Sequence, residues 1–418
     1  MTQQLTILAT GAISALAVAG VIIRPFGWPE WIFATVGAAL LIIAQLLPVS
    51  EGLAGVASGT DVYLFLAGMM LLAEIARREG LFDYLAARAA RAAGGSPVRL
   101  FTLVYGVGTL VTVFLSNDAT AVVLTPAVIA VTRAAKAKDP IPYLLVCAFV
   151  ANAASFVLPI SNPANIVVFG ANMPPLGEWL GRFALPSLAA IVSTYAVLLL
   201  VTRKSLGGRI EPESETPALS RGGKVAAFGL GLAVIALLTA SALGADLGLP
   251  TALAGLATLV LVSIGERRSP RPVLGGVSWT TLVLVAGLFV IVRALDRIGL
   301  EAELVVALKW VSVEAGGWAA PAVGAVTAIA TNLTNNLPLG LVAGGVVAAA
   351  DVSPKIVDAV LIGVDLGPNV SVTGSLATIL WLLALRREGI AYGALAFLKV
   401  GIVVTLPALA LALVASMG

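Results

Sequence analysis

The pattern of apolar and polar positions along this chain occurs twice, with a spacing of 219 residues. Residues 66–81 align without a gap on residues 285–300, and at the same spacing the segment from Phe114 falls on the segment from Leu333. In both copies a short polar stretch interrupts an apolar one, although unpaired polar groups in hydrocarbon cost several kcal/mol each. Such paired interruptions are typical of duplicated transporters, where they line a cavity or bind a ligand. The two polar stretches are Ser116-Asn117-Asp118 and Asn335-Asn336-Leu337.

Ten apolar segments are long enough to cross about 30 Å of hydrocarbon. Two of them, 141–175 and 354–386, contain prolines and glycines and are predicted to be broken helices. Residues 98–134 and 318–350 are predicted to be re-entrant hairpins, each made of two half-length helices that meet at a polar tip. The unbroken crossings are predicted at 5–22, 31–49, 60–76, 180–201, 223–242, 250–264, 279–296 and 391–416, and helices lying in the membrane interface at 81–94 and 300–313.

The positions of lysine and arginine predict the orientation. If the amino terminus lies outside, nineteen of the 25 basic residues fall on the cytoplasmic side, and the outside loops at 50–59, 170–178 and 243–250 contain none. Since cytoplasmic loops are enriched in Lys and Arg, this distribution favours ten crossings, two re-entrant hairpins and both termini outside. Each half then has five crossings, and an odd number turns the second half upside down relative to the first.

The predicted fold class is therefore an all-α polytopic membrane protein with two inverted-topology repeats, in which a transport part that carries the hairpins moves against a scaffold part. The repeats span residues 1–201 and 223–418. Residues 202–222, which have mixed charge and include Pro212 and Pro217, are predicted to form a cytoplasmic linker. Its composition favours a solvated tether over a docking site for a soluble partner.

Composition narrows the range of functions. The chain is 59% hydrophobic and 11% charged, with a mean hydropathy of +1.04, whereas an ordinary soluble domain has about 25% charged residues. It has no histidine and one cysteine, Cys147, which excludes Ser-His catalysis, an HExxH zinc site and a disulfide framework within the chain. A Walker phosphate-binding motif is missing too, and most of the basic residues lie in loops on one side of the membrane. An enzyme, a cofactor protein, a resident metal and nucleic-acid binding are therefore not expected.

The two broken helices carry a second set of polar residues. Pro159 and Pro163 interrupt the first helix, because proline cannot donate a backbone hydrogen bond, and Gly367, Pro368 and Gly374 interrupt the second. Symmetry is expected to bring two tips and two breaks together near the midplane, where uncharged amides and hydroxyls can contact a substrate. The candidate substrate ligands are Ser116, Asn117, Asn162, Asn165, Asn335, Asn336, Thr373 and Ser375.

Two carboxyl groups, Asp118 at the first tip and Asp365 at the second break, are predicted to lie at membrane depth. A carboxyl group in a site of low dielectric has a raised pKa and can bind and release a proton near neutral pH, so both residues are candidates for proton coupling. The structural alternative is that they cap the amino terminus of a half-helix. Lys399 could form a salt bridge with either acid, and Glu74 is expected to snorkel or to pair with a nearby arginine.

The same polar regions carry a family resemblance. The stretches FLSNDATAVVLTPAVIA, ISNPANIV, TNLTNNLPLGLV and GVDLGPNVSVTGSLATILWLLAL, with VIIRPFGW near the start, resemble the arsenical pump membrane proteins, the bacterial arsenite efflux subunits of the ion transporter superfamily. The resemblance implies export of As(OH)3 or Sb(OH)3 across the bacterial inner membrane in exchange for protons, with optional coupling to a separate cytoplasmic ATPase. Membrane lipid is the other expected partner.

The alternative functions belong to the same superfamily or to a different class. A sodium/proton antiporter would use the tips as oxygen ligands for sodium, and a sodium-coupled carboxylate carrier would need helix amino termini or cations for its anionic substrate. The tips and breaks contain no Arg or Lys, which favours an uncharged substrate such as arsenous acid. A passive channel would need polar groups along a continuous path, and a membrane-embedded hydrolase gains no support from the inverted duplication.

Overall fold

The computed structural model describes residues 3–211 and 218–418, and every regular element in these ranges is helical. The helices of the first half are α1 (Gln3–Ile23), α2 (Glu30–Ile43), α3 (Val49–Ser58), α4 (Thr60–Arg78), α5 (Leu81–Ala93), α6 (Pro97–Phe114), α7 (Asn117–Ala119), α8 (Thr125–Ala134), α9 (Ile141–Ala153), α10 (Pro163–Phe169) and α11 (Leu176–Thr202). Those of the second half are α12 (Arg221–Ala242), α13 (Gly248–Gly265), α14 (Arg271–Gly276), α15 (Thr280–Arg297), α16 (Leu300–Glu314), α17 (Ala319–Thr334), α18 (Asn336–Ala350), α19 (Pro354–Leu366), α20 (Leu376–Arg387) and α21 (Ala394–Ala415).

Both segments that were expected to be broken helices are interrupted. Residues 154–162, which we call the first break, separate α9 from α10, and residues 367–375, the second break, separate α19 from α20. Each break contains a short 3-10 turn that includes a proline, since proline removes a donor that an α-helix needs. All of α9 except its first residue is buried, and ten of the 13 residues of α19 are buried. Helices that are apolar all round belong at the centre of a fold, so both breaks lie there.

Two helical hairpins occupy the expected positions. In the first, α6 is followed by α7, a π-helical turn at Thr120–Leu124, and α8; its tip is residues 115–118. In the second, α17 and α18 meet at a tip formed by residues 334–337. Asn335 at this tip has a φ of 75°, a conformation that most residues avoid and that asparagine tolerates better than others.

The number of membrane crossings stays a prediction. Six of the described helices, α1, α6, α11, α12, α13 and α21, are long and apolar enough to cross a membrane, or seven spans if α3 and α4, bent by 47°, form one. The halves of a broken helix are each too short to meet that criterion. The six include α6, which the sequence analysis assigned to one arm of a re-entrant hairpin.

One predicted crossing and one predicted loop differ from the structure. The crossing expected at 31–49 ends as a helix at Ile43, and the outside loop expected at 50–59 is mostly helical, as α3. Gln45 adopts a left-handed conformation with a φ of 57°, which ends α2. Pro48 then occupies the N-cap of α3, just before the first helical residue, and its ring fixes the φ of the chain there.

Helix packing repeats between the two halves. α1 packs on α2 as α12 packs on α13, and α6 packs on α9 as α17 packs on α19. Across the halves, α4 packs on α13 and α15 packs on α2, while α11 and α21 pack on each other. This reciprocal exchange between halves is the arrangement that a duplicated chain is expected to form. The inverted orientation of the halves relative to a membrane stays a prediction.

The described part of the linker is more ordered than a solvated tether. Leu206 and Ile210 are buried, and Ile210 N donates to the carbonyl oxygen of Gly95 at 3.2 Å. Glu211 N donates to Ala135 O at 2.9 Å. This stretch therefore lies across the open end of the first hairpin. Pro212 and Pro217 fall outside the described residues.

Candidate functional site

Four helical segments begin at the tips and breaks, and each is capped by a small polar side chain. A helix start leaves backbone N–H groups unpaired, and a serine or asparagine at the N-cap accepts a hydrogen bond from one of them. Four residues predicted as substrate ligands therefore have a structural role as well. The four bonds run from Ala119 N to Ser116 Oγ (3.2 Å), from Ala164 N to Asn162 Oδ1 (3.0 Å), from Leu337 N to Asn335 Oδ1 (3.4 Å) and from Thr378 N to Ser375 Oγ (3.2 Å).

The two acids do not cap helices. Asp118 is the second residue of α7, after the Ser116 cap. Asp365 is the second-last residue of α19, at the carboxy-terminal end of that helix. The structural alternative considered for them, capping of a helix amino terminus, is therefore wrong for both residues.

The duplication extends to single hydrogen bonds. Ser161 in the first break donates to the carbonyl oxygen of Val113 at 2.9 Å, and Thr373 in the second break donates to that of Asn332 at 3.2 Å. Val113 and Asn332 are 219 positions apart, the spacing of the sequence repeat. Each half thus fastens its break to its own hairpin with an equivalent hydroxyl group.

Asp365 connects the second broken helix to the first break. Its side chain is fully buried, and Oδ1 accepts from Asn162 Nδ2 at 2.8 Å. Oδ2 lies 2.8 Å from the hydroxyl oxygen of Ser155. Asp365 forms no ion pair within the described residues, so the carboxyl group is surrounded by neutral polar partners.

A second set of amides joins the two broken helices beside Asp365. Asn152 Nδ2 donates to Asn369 Oδ1 at 3.0 Å, and Asn369 Nδ2 donates to the carbonyl oxygen of Phe149 at 2.9 Å. Asn152 Nδ2 is also 3.4 Å from Thr378 Oγ1. All of these side chains are buried, and Asn152 Oδ1 has no hydrogen-bond partner within the described residues. Hydrogen bonds between buried amides favour a single packing arrangement.

Asn165 acts as a clamp on the first break. Its Nδ2 group lies within 2.9 to 3.3 Å of three carbonyl oxygens of the break, those of Ser155, Leu158 and Pro159. The side chain is fully buried, and within the described residues its Oδ1 atom has no hydrogen-bond partner. The predicted contact of Asn165 with a substrate would need this oxygen.

The second tip is fastened to the second break. Asn335 Nδ2 donates to the carbonyl oxygen of Thr373 at 3.2 Å, and Asn336 N donates to that of Gly374 at 2.9 Å. Ser371 donates to Asn332 Oδ1 at 2.7 Å. The predicted residues of the second half therefore lie together, as a compact group at the tip and break.

A cavity of about 250 Å³ reaches the first tip. Its lining includes Ser116, Asp118 and the first residues of two half-helices, Pro163 of α10 and Leu376 of α20. Asp118 is half-buried, whereas Asn117 is buried and accepts from Asp118 N through Oδ1 at 2.9 Å. Of the predicted site residues, Ser116 and Asp118 are the two that line this cavity.

Other charged residues also line the same cavity. They include Arg24, which pairs with Glu30, and Arg387 at the end of α20. Glu74 accepts from Arg77 and Arg78 at 2.6 to 2.7 Å, so the expected pairing with a nearby arginine is confirmed. In the predicted orientation these residues lie at cytoplasmic helix ends.

Several members of the network were not predicted from the sequence. Ser155, Asn332 and Thr378 lie in it, and only their closeness to the other polar residues in NAAS, TNLTNN and SLAT could have suggested them. Lys399 lies on α21, and the structure records no ion pair between it and either acid. In the described residues, no group of three or more His, Cys, Asp or Glu side chains could hold a metal ion.

Comparison with known proteins adds independent information. The sequence model of the family described as CitMHS, citrate transporter, matches residues 16–385. The arsenical pump membrane protein of Escherichia coli is 30% identical over 431 residues, covering 98% of this chain and 98% of that protein. Its counterpart in E. coli strain K12 is 30% identical over 432 residues with the same coverage. These matches extend over both halves.

The fold is similar to that of a solved transporter. The YdaH transporter of Alcanivorax borkumensis, described as having an unusual topology, matches with a TM-score of 0.58 over 90% of this chain and 89% of that one, at 16% identity. At this identity the likeness concerns the fold alone. The fold is therefore that of a polytopic membrane transporter.

Proposed function

Because this chain belongs to the citrate transporter (CitMHS) family of membrane transporters and to the arsenical pump membrane proteins, we propose that it exports trivalent arsenic or antimony in exchange for protons. The exported species are the neutral hydroxides As(OH)3 and Sb(OH)3. The relatives' name suggests the arsenical, and the two acids, Asp365 fully buried and Asp118 half-buried, suggest the proton. As a member of a transporter family, the chain is not an enzyme.

The observation that carries the proposal is the composition of the cavity at the first tip. Its wall offers the Ser116 hydroxyl and the Asp118 carboxyl group, next to Pro163 and Leu376, the first residues of α10 and α20. Two arginines also line this cavity. Arg24 is paired with Glu30, and Arg387 is eleven residues from Leu376 along α20, about 16 Å at 1.5 Å per residue. A neutral polyol needs hydrogen-bond donors and acceptors without a fixed cation, and this wall supplies them.

Alternating access links the cavity to the two acids. As(OH)3 enters from the cytoplasm and binds beside Ser116 and Asp118. Protons bound at Asp118 and Asp365 from the outside are released inward when the site faces the cytoplasm. Asn162 couples these events, because its Nδ2 group donates to Asp365 while its Oδ1 atom caps α10, whose first residue lines the cavity.

Everted membrane vesicles test the proposal directly. An acidic interior stands in for the outside of the cell, so an imposed pH gradient should drive arsenite accumulation, with or without sodium. Collapse of the gradient with a protonophore should abolish accumulation. Uptake that needs sodium, or flux that neither saturates nor depends on the gradient, would contradict the proposal and favour a sodium antiporter or a channel.

A sodium-coupled carboxylate carrier is the second candidate. The family description names citrate, and half-helix amino termini at the cavity wall are suitable partners for an anion. Against it, Asp118 lies on the same wall and would repel a carboxylate. Citrate added in excess to the vesicle assay should leave arsenite accumulation unchanged, and sodium-dependent citrate uptake would favour this candidate instead.

A further inference from the structure

Ser155 occupies a position with two acceptors and one proton to donate. It lies in the first break, fully buried, and its hydroxyl oxygen is 2.8 Å from the carbonyl oxygen of Asn152 and 2.8 Å from Asp365 Oδ2. A hydroxyl group carries a single proton. If Asp365 is ionised, Ser155 can donate to only one of these two oxygens, and the other contact has no proton.

Protonation of Asp365 supplies the proton that the second contact of Ser155 lacks. The acid then donates from Oδ2 to Ser155, Ser155 donates to the carbonyl oxygen of Asn152, and Asn162 continues to donate to Asp365 Oδ1. Every short contact now contains one proton, and no net charge is buried. A buried polar network that is fully satisfied is far more stable than one with an unpaired member.

Loss of the proton changes the bonding of the first broken helix. The Ser155 hydroxyl must turn to the carboxylate, because a charge-assisted hydrogen bond is about twice as strong as a neutral one. The carbonyl oxygen of Asn152, next to the end of α9, then loses its hydroxyl donor. The protonation state of Asp365, on the second broken helix, therefore changes the hydrogen bonding of the first broken helix through the Ser155 side chain.

We propose that Ser155 is a positioning residue that links the proton on Asp365 to the packing of the first break. The inference rests on the proposed proton-coupled function, in which Asp365 binds a proton. It adds a residue that touches neither the cavity nor the substrate. Ser155 acts through Asp365 and Asn152, on opposite broken helices.

The surroundings of Asp365 contain few other charges. Of the helices packed against α19, α9, α10, α17 and α18 have no Asp, Glu, Lys or Arg, although α9 includes Tyr143 and Cys147. α11 contributes Glu178, Arg182 and Tyr195, and α21 contributes Lys399. On α19 itself, Asp358 pairs with Arg182 seven residues from Asp365, about 10 Å along the helix. Lys355 lies further away on the same helix.

Infrared titration of the purified full-length protein tests the inference without a substrate. A protonated carboxyl group has a carbonyl band distinct from that of the carboxylate, and subtraction of the D365N spectrum isolates the band of Asp365. In S155A the midpoint of this band should move to higher pH by about one unit, since the carboxylate loses a stronger bond than the neutral acid does. S155C, of nearly the same shape but with a weaker donor, should move it in the same direction.

Ser161 provides a matched control. It is another fully buried serine of the first break, and its hydroxyl donates to Val113 O instead of to Asp365. S161A removes the same atom from the same segment and should leave the midpoint within about 0.3 units, on the scale of 1.36 kcal/mol per unit. The midpoint of proton-driven arsenite uptake should follow the same order among the variants.

Three results would overturn the inference. They are an unchanged midpoint in S155A and S155C, an equal shift in S161A, and a D365N difference spectrum without a titrating band. Failure of the proposed function would look different. In that case the Asp365 band would still titrate and shift in S155A, but vesicles would accumulate no arsenite.

Discussion

At the scale of single residues, the polar side chains at helix starts both cap their own helix and contact another polar side chain. Asn162 and Ser375 are 213 positions apart and both cap the second half of a broken helix. Asn162 also contacts Asp365, whereas Ser375 contacts Thr378, which lies beside Asn152. Asn152 aligns with Asp365 at the same spacing. The two halves therefore carry an acid and an amide at equivalent positions, and only one of them can titrate.

Replacement of Asp365 by asparagine should separate folding from proton coupling. The amide that D365N introduces can donate to Ser155 and accept from Asn162, as the protonated acid does, so stability should change by less than about 1 kcal/mol. pH-driven arsenite uptake in everted vesicles should fall at least about tenfold. D365A is the contrasting variant, since it leaves the buried Asn162 Nδ2 donor without its acceptor at a cost of about 1–3 kcal/mol, whereas Ser155 can still donate to Asn152 O. Full uptake by D365N would remove the residue from the coupling role.

Asp118 and Ser116 should respond differently although they are two residues apart. D118N removes the carboxyl group at the cavity wall without removing a cap, so uptake should be lost while thermal stability is retained. S116A removes the cap of α7 and should lower stability by about 1 kcal/mol. Heating in the presence of a thiol dye measures stability through Cys147, which is fully buried. A D118N protein that still exchanges protons for arsenite would contradict the assignment.

At the scale of helices, close packing around the breaks sets their geometry. α21 approaches the second break at Gly401, where an added Cβ atom would lie 2.5 Å from the carbonyl oxygens of both Asn369 and Val370. No other residue type fits this approach. The packing of α21 therefore holds the second break, and with it Asn369, against the first broken helix.

Substitution of Gly401 by alanine should displace the second break. Overpacking of this kind typically costs about 1–3 kcal/mol, and arsenite uptake should fall together with the temperature at which Cys147 reacts. Gly181 on α11, the partner of α21, is a matched control, because an added Cβ there meets no atom within 4 Å. G181A should be neutral or slightly stabilising, since alanine favours helix by up to about 1 kcal/mol over glycine. Equal effects of the two substitutions would exclude packing at the break as the cause.

At the scale of the whole molecule, the repeated packing of equivalent helices supports a duplicated transporter, and the family relationship agrees with it. The protein is a multi-pass membrane protein. The ten crossings, the inverted orientation, the inner-membrane location and docking of an ATPase remain predictions. The two hairpins offer the sharpest test of the topology, because each should open toward a different side of the membrane.

Cysteine accessibility should reveal opposite openings of the hairpins. Cysteines placed at Ser96 and Lys136, the two ends of the first hairpin, should react with an impermeant maleimide only in everted vesicles. Cysteines at Gly317 and Asp351, the ends of the second, should react only in intact spheroplasts. Native Cys147 is buried and should give little background. Labelling of the two ends of one hairpin from opposite sides would mean that it crosses the membrane.

Much of the candidate site could be predicted from sequence because its residues are polar in an apolar chain. Asp118, Asp365 and the asparagines of the tips and breaks stand out for that reason, and the structure places them in a tip or break or, for Asp365 and Asn165, in the helix next to a break. Their hydrogen-bond partners could not be predicted, since the sequence alone does not indicate which residues a serine such as Ser155 contacts. The end of α2 was also not predicted, because the left-handed conformation occurs at Gln45 and not at a glycine, which would have indicated a helix end.

By itself, the sequence determined that the chain is a duplicated, helical membrane protein with four polar interruptions. The length of the apolar segments, the positions of the prolines and the 219-residue repeat are local or periodic properties of the chain. They can be recognised without any knowledge of contacts between distant segments. Only the tertiary structure decided which polar group meets which. Asp365 lies against Ser155 and Asn162, from the opposite half, because packing brings two broken helices side by side. Hydrogen bonds of 2.8 Å depend on that packing and not on distance along the chain.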